Sequence, residues 1–101
     1  MYATVRRYQL GAGSRGEGAI REVVHRCDER LVPVISGVEG FAGYYVVDAG
    51  DGIIATISIF DHQAAAEEGN KVAQGFWKEN LSGLLQANPQ VTSGRALVHK
   101  P

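Results

Sequence analysis

The sequence predicts an α+β fold of the β-α-β-β-α-β kind: a ferredoxin-like, four-stranded antiparallel sheet with two helices on one face. Strand-prone and amphipathic segments follow one another in that order along the chain. Two strand-prone runs near the middle are separated by a short segment rich in Asp and Gly, which is typical of a hairpin. The 101 residues allow one domain, so residues 1–101 are expected to form a single unit.

The N-terminal third predicts a strand, a loop and a helix. Residues 2–9 are rich in Tyr, Val and Thr, as strands are, and they lead into a glycine-rich loop at residues 11–18. Beyond the loop, apolar residues recur at offsets of three and four, which predicts an amphipathic helix. These residues are Ile20, Val23, Val24, Cys27, Leu31, Val34 and Ile35. Pro33 is expected to kink or shorten the last turn, and Gly37 is expected to end it.

The hairpin joins residues 41–49 to residues 53–60, with a loop expected at residues 48–52. This loop places Val47 opposite Ile53, and successive side chains then point to opposite faces of the sheet. The face expected beneath the helices comprises Phe41, Tyr45, Val47, Ile53, Ala55, Ile57 and Ile59. The other face comprises Ala42, Tyr44, Val46, Ile54, Thr56, Ser58 and Phe60, and the first strand adds either Thr4, Arg6 and Tyr8 or Ala3 and Val5.

The uncovered face of this sheet predicts a homodimer. It is too apolar to lie bare in water, and no helix remains to cover it. A register slip of one residue would exchange the two faces but leave both partly apolar. A second copy of the chain is therefore expected to pack on the sheet face in either register.

A second helix and a last strand complete the chain. Asp61 is expected to cap the helix, and Gly75 and Gly83 are expected to divide the helical region in two. The buried side of this helix is expected to use Ala65, Gly69, Val72, Ala73 and Phe76. After Asn88 and Pro89, the last strand is expected from about residue 91 to residue 98.

Composition and charge exclude several classes of protein. Hydrophobic residues make up 45% of the chain and charged residues 21%, which is ordinary for a globular protein. A net charge of -1 gives no basic field for nucleic acid or an anionic membrane, so neither is expected as a partner. No apolar stretch is long enough to span a bilayer, and the N-terminus lacks a signal peptide. With a single cysteine, these features favour the cytoplasm.

Three segments carry a resemblance to a known family: GFAGYYVVDAGDG at residues 40–52, TISIFD at 56–61 and AAAEEGNKVAQGFWKEN at 64–80. Over nearly its whole length the chain resembles the dimeric α/β-barrel superfamily, in particular the antibiotic biosynthesis monooxygenase domain. In that superfamily two ferredoxin-like sheets pack face to face, and each subunit keeps a cavity between sheet and helices. Members include cofactor-independent oxygenases of aromatic polyketides, haem-degrading enzymes and proteins without known activity. The resemblance implies that this cavity is the ligand site.

The catalytic residues of these enzymes do not carry over onto this chain. The haem-degrading members use a Trp on the second helix, a His further along and an Asn on the first strand. Here Trp77 could stand for the Trp. The His would be expected some ten residues later, but residue 87 is Ala, and the first strand has no Asn. The polyketide oxygenases pair their Trp with an Asn one turn earlier, where this chain has Ala73, and with a later Tyr, which it lacks. Catalytic residues are therefore left unassigned.

The implied cavity gives a set of candidate ligand-binding residues. These are Trp77, Tyr44, Asn80, Phe60 and Arg6. Trp77 could stack on a flat aromatic ligand, with core or dimer packing as the competing interpretation. An Arg that faces a cavity from a strand is costly unless an anion or carboxylate pairs with it.

The expected function is binding of a small apolar or aromatic ligand, without a cofactor. One alternative is an active cofactor-independent monooxygenase of phenolic or quinol substrates. The other is a non-catalytic dimeric structural or interaction protein, because fold alone does not choose among these functions.

Other motifs favour ordinary structural roles. Residues 11–16 match GxGxxG, but the following strand turns back in a hairpin, so a surface loop is favoured over a nucleotide site. Residues 48–52 lack the alternating acids of a calcium loop and favour a turn. Cys27 lies on the apolar stripe and is expected in the core. The histidines are scattered, so no metal site is expected; they are His25, His62 and His99.

Overall fold

The structure, a computed structural model, describes residues 1–11, 16–85 and 88–100. The elements follow the order β-α-β-β-α-β, which confirms the predicted ferredoxin-like α+β fold. The strands are β1 (Tyr2–Gln9), β2 (Phe41–Gly50), β3 (Ile53–Phe60) and β4 (Gln90–Arg95). The helices are α1 (Glu17–Arg26), α2 (Val32–Ile35) and α3 (Gln63–Asn80). A π-helical segment, Cys27–Leu31, joins α1 to α2, and a 3-10 turn, Ser82–Leu84, follows α3.

The four strands form one antiparallel sheet in the order β2-β3-β1-β4. Because side chains alternate along each strand, the sheet has two chemically distinct faces. The covered face, which lies beneath the helices, includes Tyr2, Thr4, Arg6, Tyr8, Phe41, Tyr44, Val46, Ile54, Thr56, Ser58 and Phe60. The open face, on the other side, consists of Ala3, Val5, Arg7, Tyr45, Val47, Ile53, Ala55, Ile57 and Ile59.

Apart from Phe41, which packs on Phe60 beneath the helices as predicted, the two faces were assigned the wrong way round. In β3 the buried residues are Ile54, Thr56, Ser58 and Phe60, whereas the residues between them are only half-buried. The assignment failed because it took the more apolar face for the core. The helices instead cover the face that carries polar side chains, and β1 contributes Thr4, Arg6 and Tyr8 to it.

The hairpin turn is tighter than predicted. Its two central residues, Asp51 and Gly52, have φ values of 55° and 75°, as a type I′ turn requires. Residues 48–50 therefore belong to β2, and Val47 pairs with Ala55 instead of Ile53. This shift of two residues leaves the alternation of faces intact, which is why the residues still group as predicted within most of the hairpin.

The first helical region contains a π turn directly before Pro33. The Val32 N–H donates to the Cys27 carbonyl, five residues earlier, and Pro33 has no N–H to continue the ordinary pattern. The buried residues recur at every fourth position and are Val23, Cys27, Leu31 and Ile35. The wider π turn helps to keep them on one side. Two other residues of the predicted stripe, Val24 and Val34, are exposed.

The second helix differs from its prediction at its start and its middle. His62, not Asp61, is the N-cap, and its Nδ1 accepts a hydrogen bond from the Ala65 N–H at 3.2 Å. The helix also continues through Gly75 without a break. The predicted buried positions Ala65, Gly69, Ala73 and Phe76 are buried. Gly69 is required for packing, since a Cβ there would lie 2.1 Å from Phe60 Cζ.

The core lies between the covered face and the helices. Its buried members include Tyr8, Val23, Leu31, Ile54, Phe60 and Trp77. The last strand is shorter than predicted, because β4 ends at Arg95 and residues 97 and 98 are exposed. In the described part of the chain, no helix combines the length and apolar character needed to cross a membrane.

Candidate functional site

A cleft of about 610 Å³ opens beside the sheet, where the C-terminal half of α3 passes over β1. The 3-10 turn and the start of β4 form its other walls. Its lining residues are Arg6, Tyr8, Gln74, Trp77, Lys78, Ser82, Leu85, Asn88, Pro89 and Val91. Pockets of about 300 to 1,000 Å³ are typical of small-molecule sites, and most such sites combine apolar walls with a few polar groups.

Two stacked aromatic rings form the inner wall of the cleft. The rings of Tyr8 and Trp77 are nearly parallel, with centroids 3.6 Å apart and 11° between their planes. Phe76 meets the indole edge-on at 6.2 Å and supports it from the helix. Both stacked residues are at most 3% exposed, so the pair is a rigid part of the fold. The pair makes this wall of the cleft aromatic and apolar.

Arg6 lies beside this wall on the covered face and is only 6% exposed. Its Nη2 donates to the Asn70 carbonyl oxygen at 3.1 Å, but its buried Nε has no hydrogen-bond partner. Among the described carboxylates, none lies within ion-pair distance of the guanidinium. Burying a cation without a counter-ion costs free energy. The site therefore holds an uncompensated positive charge.

Three further buried polar atoms have no hydrogen-bond partner: the Tyr8 hydroxyl, the Tyr44 hydroxyl and the Trp77 Nε1. Burial raises the pKa of Tyr8 from 10.0 to about 12, against the opposing effect of the nearby Arg6 guanidinium. Burial also raises the pKa of Tyr44 above its ordinary value. Both hydroxyls thus stay protonated at neutral pH. Together with Arg6 Nε and Trp77 Nε1, the two hydroxyls make four buried donors without a partner among the described residues.

The structure brings two of the predicted site residues together, Arg6 and Trp77, at the cleft. Tyr44 lies two strands away, where its ring lines a shallower depression beside α1. The Tyr44 hydroxyl points inward, close enough to Thr56 and Arg6 for both to lower its pKa slightly. Tyr8 was not among the predicted site residues. The signal for it was its position two residues after Arg6, on the same face of a strand.

The other two predicted site residues lie elsewhere. Phe60 is fully buried in the core, where its ring packs edge-on against Phe41 and beneath Gly69. Asn80 lines a groove between α3 and the first helical region, away from the cleft. Its side chain accepts from Arg30 and donates to the Phe76 carbonyl, at 3.2 Å and 3.0 Å. Asn80 thus helps to complete the hydrogen bonds at the end of the helix.

The remaining candidate motifs have structural partners or lie outside the described residues. His25 pairs with Glu29 at 3.3 Å, and Asp48 Oδ1 accepts from the Gly50 N–H within the hairpin. Burial raises the pKa of the Cys27 thiol from 9.0 to about 12, which removes its nucleophilic form at neutral pH. No group of three or more metal-ligating side chains occurs within the described ranges. Most of the GxGxxG segment, residues 12–15, lies outside them.

Comparison with solved structures places the fold among known proteins. A protein of unknown function from Nitrosomonas europaea aligns with a TM-score of 0.79 at 16% identity, over 99% of this chain and 92% of its own. A monooxygenase of Streptomyces coelicolor, solved in complex with nanaomycin D, aligns with a TM-score of 0.73 at 17% identity over the same shares. The cofactor-independent oxygenase SnoaB of Streptomyces nogalater gives 0.69 at 17% identity, over 99% and 96%.

No protein-family profile and no curated protein sequence matches the chain. The structural likeness extends over nearly the whole chain, although fewer than one residue in five is identical in these three proteins. Such likeness establishes the architecture and leaves the chemistry to the residues of the site. The resemblance seen in the sequence is confirmed at the level of structure: the chain has the ferredoxin-like fold of antibiotic biosynthesis monooxygenase-like proteins.

Proposed function

We propose that this protein binds a small, largely apolar aromatic ligand in the cleft between β1 and α3. The observation that carries the proposal is the stacked pair of Tyr8 and Trp77 beside unused buried donors. Each buried polar group without a hydrogen-bond partner costs about 1–3 kcal/mol. If these residues served only to pack the core, their donors would be expected to have partners within the protein or to be replaced by apolar groups. A ligand with a flat ring and an acceptor oxygen would use both features at once.

The proposed ligand site lies within one chain, but the protein is proposed to work as a homodimer. The open face supports this: Val5, Tyr45 and Val47 are 41%, 56% and 42% exposed, and three isoleucines lie between them on β3. An apolar sheet face of this kind is costly in water. A stable interface needs about 800 Å² from each partner, which a four-stranded sheet face can supply.

Ligand titration tests the site. Trp77 is the only tryptophan, so its fluorescence reports on the inner wall of the cleft. Phenols, naphthoquinols, flavin and haem would be added in turn, with corrections for ligands that absorb. At least one of them is expected to give saturable quenching at micromolar concentrations. The absence of a saturable response across the panel would contradict the proposal and favour a purely structural or interaction role.

A matched pair of variants locates the binding. Val91 lines the cleft and is 48% exposed, so Val91→Phe would fill the opening without disturbing the core. This change is expected to weaken binding at least about tenfold. Val98→Phe, the same change at an exposed site outside the cleft, is expected to leave affinity within about twofold. Equal behaviour of the two variants would place the ligand elsewhere.

A second candidate function is cofactor-independent oxygenation of a phenolic or quinol substrate. It is favoured by the likeness to two oxygenases and by the protonated donors that could stabilise a developing oxyanion. In such a reaction the CH2 group of the substrate's keto tautomer becomes a carbonyl: one atom of O2 enters the product, and the other leaves as water with the two hydrogens of that carbon. The substrate supplies all the electrons. Oxygen uptake equal to product formed, without added flavin or metal, is the expected result; binding without uptake would restrict the protein to ligand binding.

A further inference from the structure

The chemistry of Arg6 narrows the class of ligand. A guanidinium has five N–H donors and keeps its charge at every physiological pH. Here one donor reaches a backbone carbonyl, at Asn70, and the buried Nε has no partner. A neutral carbonyl contributes a hydrogen bond but does not balance the charge. Arg6 Nε therefore lacks an acceptor and the guanidinium lacks a counter-ion, and Arg6 lines the cleft.

The neighbours of Arg6 do not supply that counter-ion. Across the sheet, its paired residues are Thr56 on β3 and Val91 on β4, neither of which ionises. The other charged residue among the described lining residues of the cleft is Lys78, which is also a cation. The nearest aromatic residue along the strand, Tyr8, stays protonated because its pKa is raised. Within the described part of the chain, the electrostatics of the cleft thus favour an anion.

We propose that the ligand is an aromatic carboxylic acid, whose ionised carboxylate binds Arg6 while its ring packs against the Tyr8–Trp77 wall. This inference rests on the proposed function of the cleft. A carboxylate has two oxygens and can accept two hydrogen bonds from a guanidinium, and Arg6 lines the cleft. It is ionised at neutral pH without cost, whereas a phenol would have to lose a proton held near pH 10. These two points favour a carboxylate over a phenolate.

The test compares two ligands that differ in charge. The probes are 2-naphthoate and its neutral analogue 2-naphthamide, titrated calorimetrically against the unaltered protein at neutral pH. Naphthoate is expected to bind about tenfold more tightly or better, as a charge-assisted hydrogen bond in a buried site provides. This comparison needs no variant, so it does not depend on whether a substitution folds.

Substitutions then assign the preference to Arg6. Arg6→Met keeps the length of the side chain without the charge and is expected to weaken naphthoate binding about tenfold, with naphthamide within about twofold. Arg6→Lys keeps the charge and is expected to retain part of the preference. Arg95→Met removes a cation from the exposed edge strand and is expected to change neither affinity. Circular dichroism of each variant verifies that it is folded.

Each outcome decides a separate point. Equal affinity of the two ligands for the unaltered protein would overturn the carboxylate inference and leave the aromatic site standing. Saturable binding of neither ligand would overturn both. A preference for naphthoate that survives in Arg6→Met would show that another group binds the anion, which also overturns the inference.

Discussion

The two faces of the sheet differ in a way that their burial alone does not explain. At the centre of the covered face lie Arg6, Thr56 and Ser58, all nearly inaccessible to water. The open face instead carries Ile57 and Ile59, which alternate with these residues along β3 and are only half-buried. Polar groups cost free energy when buried, and apolar groups do so when exposed. A chain that had only to fold alone would reverse this distribution.

Each face is suited to something that the single chain lacks. A polar interior lined by unused donors is what a ligand with acceptor atoms requires. An apolar exterior without a covering helix is what a second sheet requires. The proposed ligand site therefore explains the polar residues on the covered face, and the proposed homodimer explains the apolar residues on the open face. The two proposals can be tested separately.

The largest expected effect comes from a charge on the open face. Ile57→Lys places a cation at the middle of the proposed interface, twice in a symmetric dimer. The dissociation constant is expected to rise by at least about 100-fold, because each buried lysine would have to be desolvated without a partner. Analytical ultracentrifugation over a range of concentrations measures the change.

The matched control for this variant is Val34→Lys. Val34 is an equally apolar residue that is 57% exposed on the helical side, away from the sheet. It is expected to leave the association state unchanged. A monomer for the unaltered protein at all accessible concentrations, or a dimer that resists Ile57→Lys, would contradict an interface on the open face.

The fold was predictable from the sequence because it depends on patterns that are repeated many times. Each of the four strands and both helical regions has several residues in register, so an error at one residue changes little. The turn at Asp51 and Gly52 was misplaced by a few residues, since β2 and the loop share the segment 48–50. The position of the helix cap failed for a similar reason, as Asp61 and His62 are adjacent.

The site was less predictable because it depends on which face the helices cover. Sequence alternation groups Arg6 with Tyr8 but does not say whether that group lies inside. The rule that apolar residues are buried gave the wrong answer here, since Ile53, Ile57 and Ile59 lie outside. The stack of Tyr8 on Trp77 joins residues far apart in the chain, and no local pattern contains that contact.

The next largest effect is expected at Gly69, where α3 packs closely on the covered face. At the end away from the cleft, Gly69→Ala would bring a Cβ to 2.1 Å from the Phe60 ring, which has no space to move in the core. The free energy of unfolding is expected to fall by about 1–3 kcal/mol. Gly75→Ala, in the same helix with no atom within 4 Å, is expected to raise it by about 0.5–1 kcal/mol.

Urea unfolding of both glycine variants makes the comparison. The two changes in the free energy of unfolding are expected to have opposite signs. An increase in both variants would contradict the close contact at Gly69 and show that helix propensity governs both positions. A destabilised Gly69→Ala should be rescued in part by Phe60→Leu, which removes the ring that the new methyl group meets.

A smaller effect concerns the cleft end of the same face. Arg6→Met removes a buried charge that has no ion-pair partner among the described residues, and a methionine of similar length fills its space. Without ligand, the free energy of unfolding is expected to rise by about 1 kcal/mol. Arg95→Met should change it by less than about 0.5 kcal/mol, because Arg95 is exposed. A marked loss of stability in Arg6→Met would mean that Arg6 serves the fold and not a ligand.

The last effect is absent at neutral pH and appears only in alkali. The buried Cys27 thiol and Tyr8 hydroxyl have pKa values raised to about 12, from 9.0 and 10.0. Between these limits the unfolded chain binds fewer protons than the folded one, so the free energy of unfolding falls as the pH rises. The loss is expected to begin near pH 9, where the unfolded thiol ionises, and to continue to about pH 12.

Cys27→Ala separates the thiol from the tyrosines. It removes one of the groups that ionise on unfolding, so the decline above about pH 9 should be less steep than in the unaltered protein. Val23→Ala truncates another buried residue of the same helical stripe without removing a titratable group, and it should keep the steeper decline. Urea unfolding under reducing conditions at several pH values gives both slopes. Parallel slopes for all three proteins would show that the thiol is accessible to solvent, and the helical stripe would then be less tightly packed against the covered face than the structure indicates.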